Sequence, residues 1–263
     1  MEDLLPRHWA ELNDLLFAGA WQEPLRRFRA SFVYRGQCDA DNPLTTSLSR
    51  LAGERAAEIE GPMLRAFRRY AMPYGLRSDA SIWETLALAQ HHGLPTRLLD
   101  WSYSPLVALH FATADTEWHD RDGAVWCADL HRTNERLPTA LREILQTEET
   151  DVLSMEILER IASDLGGYDQ RFDRPALAFF EPPSLDERVV NQFALFSLLS
   201  NPAGSPGDWL RKEAGDAVRR IRIPAAIKPE VRDKLDQANI TERVLFPGLD
   251  GLSRWLCRYY TPS

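Results

Sequence analysis

The sequence predicts an α+β fold: a single domain in which helices flank a mixed or antiparallel central sheet. Amphipathic helical stretches alternate with short apolar runs that are typical of strands, notably at 123–130, 176–180 and 217–224. No internal repeat divides the chain, and its 263 residues are enough for a substantial core. Residues 201–207 are the best linker candidate, yet a strand pattern resumes after them, which favours one sheet.

Composition restricts the class of protein. Hydrophobic residues at 44% and charged residues at 27% are ordinary for a soluble globular chain, and no apolar run approaches the roughly 20 residues of a membrane span. We therefore expect no membrane partner. A net charge of −8 argues against broad binding to a nucleic-acid backbone, but it allows a local basic pocket. Three scattered cysteines without a C-x-x-C spacing favour reduced thiols and a cytoplasmic location.

The first 30 residues are expected to form a helical segment in two pieces. Apolar residues keep helical spacing over 9–17, and the pattern continues over 21–29 after a Gly-Ala break. Residues 31–263 then form the α+β domain, which begins with a β-prone run at 31–34.

Two later stretches also read as helices. Residues 54–70 carry an apolar stripe among arginines, which predicts a long amphipathic helix. Residues 138–166 are helical in pattern and rich in acids, and we expect them to be a helical insertion in the domain.

The segment between residues 84 and 112 holds more polar side chains than a core needs. We expect a helix over 82–90, a tight Gly-Leu-Pro turn, a strand over 96–100 and a helix over 105–114. Ser104 is the expected N-cap and Pro105 the first helical residue, where its missing N–H costs nothing. Such a junction projects polar groups into one cleft. The candidate ligand-binding residues of this window are Gln90, His91, Thr96, Arg97, Asp100, Trp101, Tyr103 and Ser104.

Arg35 is a candidate anion-binding residue. It ends an apolar strand directly before Gly36, so its side chain can reach from the sheet edge into a cleft. The planar, permanently charged guanidinium suits phosphate or carboxylate, and we expect Gly36 to let a ligand approach the backbone closely. The alternative is a surface arginine at a strand-to-turn corner.

Other candidates also have two interpretations. Asp100 either orients Arg97 or a histidine toward a ligand, or forms a buried ion pair with Arg97. Trp101 either stacks on a planar ring or belongs to the core. The polar residues that follow a Pro-rich turn are either site residues or exposed helix polarity: Glu187, Arg188 and Gln192.

Several common site types lack support in the sequence. Adjacent His91 and His92 point in different directions, and Cys127 with His131 is only one pair, so we expect no metal. No G-x-S-x-G, phosphate-binding loop or strand-linked G-x-G-x-x-G occurs. A nuclease built on the histidines, Gln90 and Asp100 is a third possibility, which the acidic composition disfavours.

Taken together, these motifs resemble the FRG domain, which is named for an N-terminal [FY]-R-G. The chain has Y-R-G at 34–36, QHHGLPTRLLDW at 90–101, and S-P-L with A-L-x-F-A at 104–112. Later blocks at 188–196 and 245–252 are also similar, so the resemblance spans 32–252. The family tends to show Gln-Gly where this chain has Phe193-Ala194, and we expect these side chains to narrow the site.

A more distant similarity to the ADP-ribosyltransferase fold implies a split sheet and NAD as substrate. It implies that Arg35 binds the pyrophosphate or ribose and that Trp101 or Tyr103 stacks on nicotinamide. A later carboxylate or amide, Glu187 or Gln192, would be the third catalytic residue. The remaining ligand-binding residues implied are Gly36, Gln90, His91, Thr96, Arg97, Asp100, Ser104 and Arg188.

The resemblance thus implies a nucleotide-binding enzyme that cleaves or transfers at an N-glycosidic bond, with a protein or nucleic acid as acceptor in a transfer. A role as a toxin or anti-phage effector is a family-level expectation. The main alternative is a module that senses a nucleotide or nucleobase without catalysis.

Overall fold

A seven-stranded sheet lies at the centre of the computed structural model, which describes residues 2–29, 31–182 and 187–261. The strands are β1 (Asp3–Leu4), β2 (Trp21–Gln22), β3 (Arg27–Phe28), β4 (Phe32–Gln37), β5 (Leu98–Ser102), β6 (Gly123–Asp129), β7 (Leu177–Phe180), β8 (Ala194–Leu199) and β9 (Val218–Ile223). The helices are α1 (Trp9–Phe17), α2 (Ser47–Ala52), α3 (Ala56–Ala71), α4 (Ile82–His91), α5 (Pro105–Thr113), α6 (Leu130–Asn134), α7 (Thr139–Thr147), α8 (Met155–Ile161), α9 (Leu165–Gln170), α10 (Glu187–Asn191), α11 (Pro206–Trp209), α12 (Lys228–Gln237), α13 (Glu242–Leu245) and α14 (Leu249–Tyr260). The predicted α+β fold, one domain with a mixed sheet flanked by helices, is confirmed.

The sheet has the order β1-β9-β6-β4-β5-β8-β7, in which β1 and β9 pair in parallel and the other neighbours are antiparallel. Strand β4 pairs with β6 along its whole length, and β5 does the same with β8. In contrast, β4 and β5 share a single register pair, Tyr34 with Ser102. The sheet is therefore divided at its centre, and a cleft opens beside this pair. The likeness to the ADP-ribosyltransferase fold stays a prediction.

The prediction of a second N-terminal helix over 21–29 is wrong. Strands β2 and β3 form a hairpin there, with Trp21 opposite Phe28 and their rings edge to face at 5.0 Å. Pro24 explains the difference because it has no N–H to donate and disfavours helical conformation in the preceding residue. The first predicted piece is correct, since it is α1.

The two faces of the sheet carry separate apolar clusters. The larger one packs α3, α4 and α7 to α9 against residues such as Trp101, Trp126 and Phe179. The smaller one packs α1, α5 and α12 against residues such as Val125 and Ile221. The predicted helical stretch at 138–166 is helical over most of its length, and its leucines belong to the larger cluster.

The predicted helix–turn–strand–helix order around residue 95 is confirmed. Ser104 accepts a hydrogen bond from the Val107 N–H, and Pro105 begins α5. The strand begins two residues later than predicted because Thr96 serves another element: its carbonyl accepts from the Leu48 N–H. Among the described residues, no helix is both long enough and apolar enough to cross a membrane.

Candidate functional site

A cleft of about 650 Å³ opens where β4 and β5 separate. Its walls come from both strands, from the chain after β4, and from α4, α5 and α10. Phe111 and Phe246 supply aromatic surface. The polar lining residues are Arg35, Gln37, Asp39, Asn42, Thr45, Arg50, Gln90, His91, Asp100, Ser102, Arg188 and Gln192.

Arg35 crosses the gap between the two central strands. Its Nη1 donates to the carbonyl oxygen of Asp100 at 2.5 Å and lies 3.9 Å from Oδ2 of the same residue. Burial lowers the pKa of Arg35, and the Asp100 charge opposes this shift. A guanidinium is so strongly basic that it stays charged at neutral pH in proteins. No described residue accepts a hydrogen bond from its buried Nε. Arg35 therefore brings positive charge into the cleft and links the two halves of the sheet.

Gly36 also lines the cleft, where we expected glycine to let a ligand approach the backbone. The structure shows another reason for the absence of a side chain at this position. A Cβ at this position would lie 1.9 Å from the carbonyl oxygen of Ala108 and 2.6 Å from the nitrogen of Ala112. Both atoms belong to α5, which lies directly on β4. Glycine is required here by helix-on-strand packing.

Asp100 points into the cleft and its side chain is 58% exposed. Its Oδ2 accepts a hydrogen bond from Gln90 Nε2 at 2.8 Å. The Gln90 Oε1 in turn accepts from the hydroxyl of Thr96 at 2.5 Å. Asp100 is thus a fixed and accessible carboxylate.

Arg97 was expected either to bind ligand or to pair with Asp100, and the structure shows neither. Its side chain is 2% exposed and pairs with Glu60 of α3 and Asp169 of α9. Thr96 is equally buried, so it cannot touch a ligand directly. Both residues lie behind the cleft because α3 and α9 cover this end of β5.

Three further candidates from the central block have structural partners. Trp101 contributes to the lining, yet its indole is buried, donates to Ser197 Oγ at 3.0 Å and packs edge to face on Phe179. Tyr103 lies outside the lining and donates its hydroxyl proton to Glu181 at 2.7 Å. Burial and Glu181 raise the pKa of Tyr103. Ser104 caps α5. Because the Trp101 indole is buried and Tyr103 lies outside the lining, neither ring offers a free face inside the cleft.

The later block contributes two of its three predicted residues. Arg188 and Gln192 line the cleft, whereas Glu187 does not. The Arg188 guanidinium lies over the Phe246 ring at 5.1 Å. Gln192 donates from Nε2 to the carbonyl oxygen of Leu245 at 2.9 Å, which fixes its amide. The carboxylate expected from this block is therefore missing from the cleft, and Asp100 is the accessible acid.

Residues 30–121 match the family model of the FRG domain. The chain contains an FRG domain. No curated protein and no solved structure matches the chain significantly. The matched part of the FRG domain supplies Arg35, Gln90 and Asp100, whereas Arg188 and Phe246 come from beyond it. The site is therefore completed by residues outside the family match.

This chain has Phe193-Ala194 where the FRG family tends to show Gln-Gly, and only one of the two side chains lies in the cleft. Ala194 lines the cleft, in agreement with a narrower site. Phe193 lies outside the lining and is 61% exposed. Its φ of +47° lets the chain turn from α10 into β8. The Phe193 side chain therefore leaves the cleft open.

Sequence reasoning missed Arg50, Phe111 and Phe246. Arg50 lies at the end of α2 and reaches the cleft while Nη1 donates to the Thr45 carbonyl at 2.7 Å. Its charge further lowers the pKa of Arg35. The two phenylalanines stand in blocks that resemble the family, where the A-L-x-F-A and L-F-P patterns were the available signal. Nothing in the spacing around Arg50 marks it.

Across residues 2–29, 31–182 and 187–261, no group of three or more His, Cys, Asp or Glu side chains is arranged to hold a metal ion. His91 lines the cleft, and its ring contacts that of His92 edge to face at 5.1 Å. The cleft thus offers cations, amides and one accessible carboxylate as its binding groups.

A buried ionic network holds Phe246 at the cleft. Arg258 of α14 bonds Glu242 and Asp236, and the nearby Arg232 donates to Nδ1 of His110 at 3.0 Å. Burial alone would raise the pKa of Glu242, but hydrogen bonds from Arg258, a backbone hydrogen bond and the charges of Arg232 and Arg258 together outweigh it and hold the pKa at about 2. The network joins α12, α13 and α14 to α5 and fixes the segment that carries Phe246.

His110 makes the stability of this network depend on pH. Burial, and then the charge of Arg232, lower its pKa from 6.5 to about 4; Arg258 acts in the same direction and Glu242 opposes. Between these pH values the unfolded chain binds a proton that the folded protein does not. The contribution of His110 to the free energy of unfolding is therefore complete above about pH 6.5, and it falls toward pH 4 by at most about 3 kcal/mol. Urea titrations at pH 7.0, 5.5 and 4.5 should show a shallower decline for His110→Gln, and His92→Gln at an exposed histidine should follow the wild type.

Proposed function

We propose that the cleft binds a phosphate-bearing nucleotide, with NAD as the substrate, and that the protein cleaves or transfers at its N-glycosidic bond. The observation that carries the proposal is the convergence of Arg35, Arg50 and Arg188 on a cleft whose accessible carboxylate is Asp100. The volume of about 650 Å³ lies within the range of small-molecule sites.

Three guanidinium groups in one cleft favour an anion of more than one charge. The molecule carries a net charge of −8, so this local excess of positive charge is a property of the site and not of the whole surface. Guanidinium forks match phosphate oxygens in geometry and donate paired hydrogen bonds. Phe111 and Phe246 add apolar surface against which a ring can pack. A nucleotide with a diphosphate combines these two requirements.

Cleavage of an N-glycosidic bond develops positive charge on the ribose, and a fixed carboxylate stabilises such charge. We assign this role to Asp100 in place of Glu187, because Asp100 lies in the cleft with its carboxylate held by Gln90. Asp39 also lines the cleft, but it is buried and paired with Arg121. Gln192 keeps a binding role, since an amide has no basic group to remove a proton.

The test incubates the purified protein with NAD and follows nicotinamide and an ADP-ribose adduct by mass spectrometry. Nicotinamide release by the wild type, lost by 100-fold or more in Asp100→Asn with NAD binding retained, is the expected result. Glu187→Gln is the matched carboxylate control and should keep full turnover. Equal turnover in Asp100→Asn and the wild type would contradict the assignment of Asp100.

A nucleotide sensor without catalysis is the second candidate, favoured by the absence of Glu187 from the lining. Calorimetric binding of NAD with no nicotinamide released would support it. Within the catalytic proposal, an NAD-consuming activity in the cytoplasm fits a toxin or anti-phage effector.

A further inference from the structure

Three hydrogen bonds connect the backbone of β5 to the carboxylate in the cleft. The Leu98 N–H donates to Thr96 Oγ1 at 3.1 Å, and the Thr96 hydroxyl donates to Gln90 Oε1 at 2.5 Å. Gln90 Nε2 then donates to Asp100 Oδ2 at 2.8 Å. The hydrogen bonds thus begin at buried residues, Leu98 and Thr96, and end at the exposed Asp100 side chain in the cleft.

The direction of these three hydrogen bonds follows from which groups have protons to donate. A hydroxyl has one proton to donate, and Thr96 gives it to the Gln90 oxygen while its own oxygen accepts from the backbone. The amide must then present its NH₂ group to Asp100. The opposite orientation would place the amide oxygen against a carboxylate and leave the Thr96 hydroxyl without an acceptor, which is costly in a buried site.

We propose that Thr96 is a positioning residue for Asp100. Its hydroxyl fixes the orientation of the Gln90 amide, and the amide holds the carboxylate toward the ligand. Thr96 itself contacts no ligand. The consequence for turnover rests on the proposed function, but the hydrogen-bond chain does not.

Steady-state kinetics with NAD as the substrate test the expected effect of Thr96 on turnover. Thr96→Val removes the donated proton at nearly constant volume, and we expect kcat to fall by about 10- to 100-fold, because a catalytic group displaced by about 1 Å costs this much. KM should stay within twofold, and Thr96→Ser should restore kcat to within threefold of the wild type. Thr113→Val is the matched control, since Thr113 is equally buried and its hydroxyl donates to the carbonyl oxygens of Leu109 and His110 within its own helix, α5.

Thr96→Val also leaves the Leu98 N–H without its acceptor, so its unfolding midpoint is measured beside its kinetics. Gln90→Met breaks the chain at a half-buried position and should lower kcat by the same factor. The double variant should lose no more than either single one, because both act through Asp100. Additive losses in kcat would overturn the proposal.

Side-chain NMR of the ligand-free protein separates this proposal from the proposed function. The Gln90 amide signals, identified by their loss in Gln90→Met, should carry a downfield proton in the wild type, Thr96→Ser and Thr113→Val. That shift should disappear in Thr96→Val. If the protein does not cleave NAD, loss of the downfield shift in Thr96→Val still supports the positioning role, although the proposed reaction is then wrong. Unchanged amide signals together with an unchanged kcat in Thr96→Val overturn the positioning role.

Discussion

Arg97→Met should lower the free energy of unfolding by about 3–5 kcal/mol, the loss typical of one partner removed from a buried ion pair. The guanidinium bonds Glu60 through Nε and Nη2 and Asp169 through Nη1 and Nη2. Burial alone would lower the pKa of Arg97, and these two acids reverse the shift and raise it. Without the cation, the Glu60 carboxylate stays buried with no counter-charge.

Urea unfolding at pH 7 measures this loss, and Arg160→Met is the matched control. Arg160 pairs with Glu148 on the surface, with its side chain 61% exposed, so its removal should cost less than about 1 kcal/mol. Replacement of Arg97, Glu60 and Asp169 together by apolar residues of similar volume should recover much of the stability. Similar losses in Arg97→Met and Arg160→Met would show that burial of the cluster contributes little.

Gly36→Ala should destabilise the protein by about 3 kcal/mol, the upper end of the usual cost of overpacking. The new methyl group would overlap the Ala108 carbonyl, and backbone atoms cannot rotate away as a side chain does. Helix α5 must then move off β4, which also displaces Phe111 in the cleft.

Thermal unfolding compares this variant with Gly61→Ala, a glycine in α3 with open surroundings. A Cβ at Gly61 meets only the end of the flexible Arg65 side chain at 3.3 Å. Alanine is favoured over glycine inside helices, whereas Pro62 crowds the Cβ of the residue before it, so Gly61→Ala should change stability by less than about 1 kcal/mol. A Gly36→Ala variant that melts with the wild type would mean that α5 adjusts without cost.

The local sequence predicted most of the central block. Ser104 and Pro105 mark the start of α5, and the polar residues between the flanking helices indicate a cleft. Arg35 was correctly predicted to reach a cleft from its strand, but it does not end that strand, because β4 continues through Gly36 to Gln37. These features depend on a few adjacent residues: caps, the missing N–H of proline, and the period of the apolar positions.

The sequence alone therefore determined the fold class, the cap of α5 and the presence of Arg35 and Asp100 in one region. Only the tertiary structure decided that Arg97 pairs with Glu60 and Asp169, which lie 37 and 72 residues away. It also decided that Arg50, Phe111 and Phe246 complete the cleft. The physical reason is that propensities and caps act over a few neighbouring residues. Whether a charged side chain is buried or faces a ligand depends on which distant helices cover its strand.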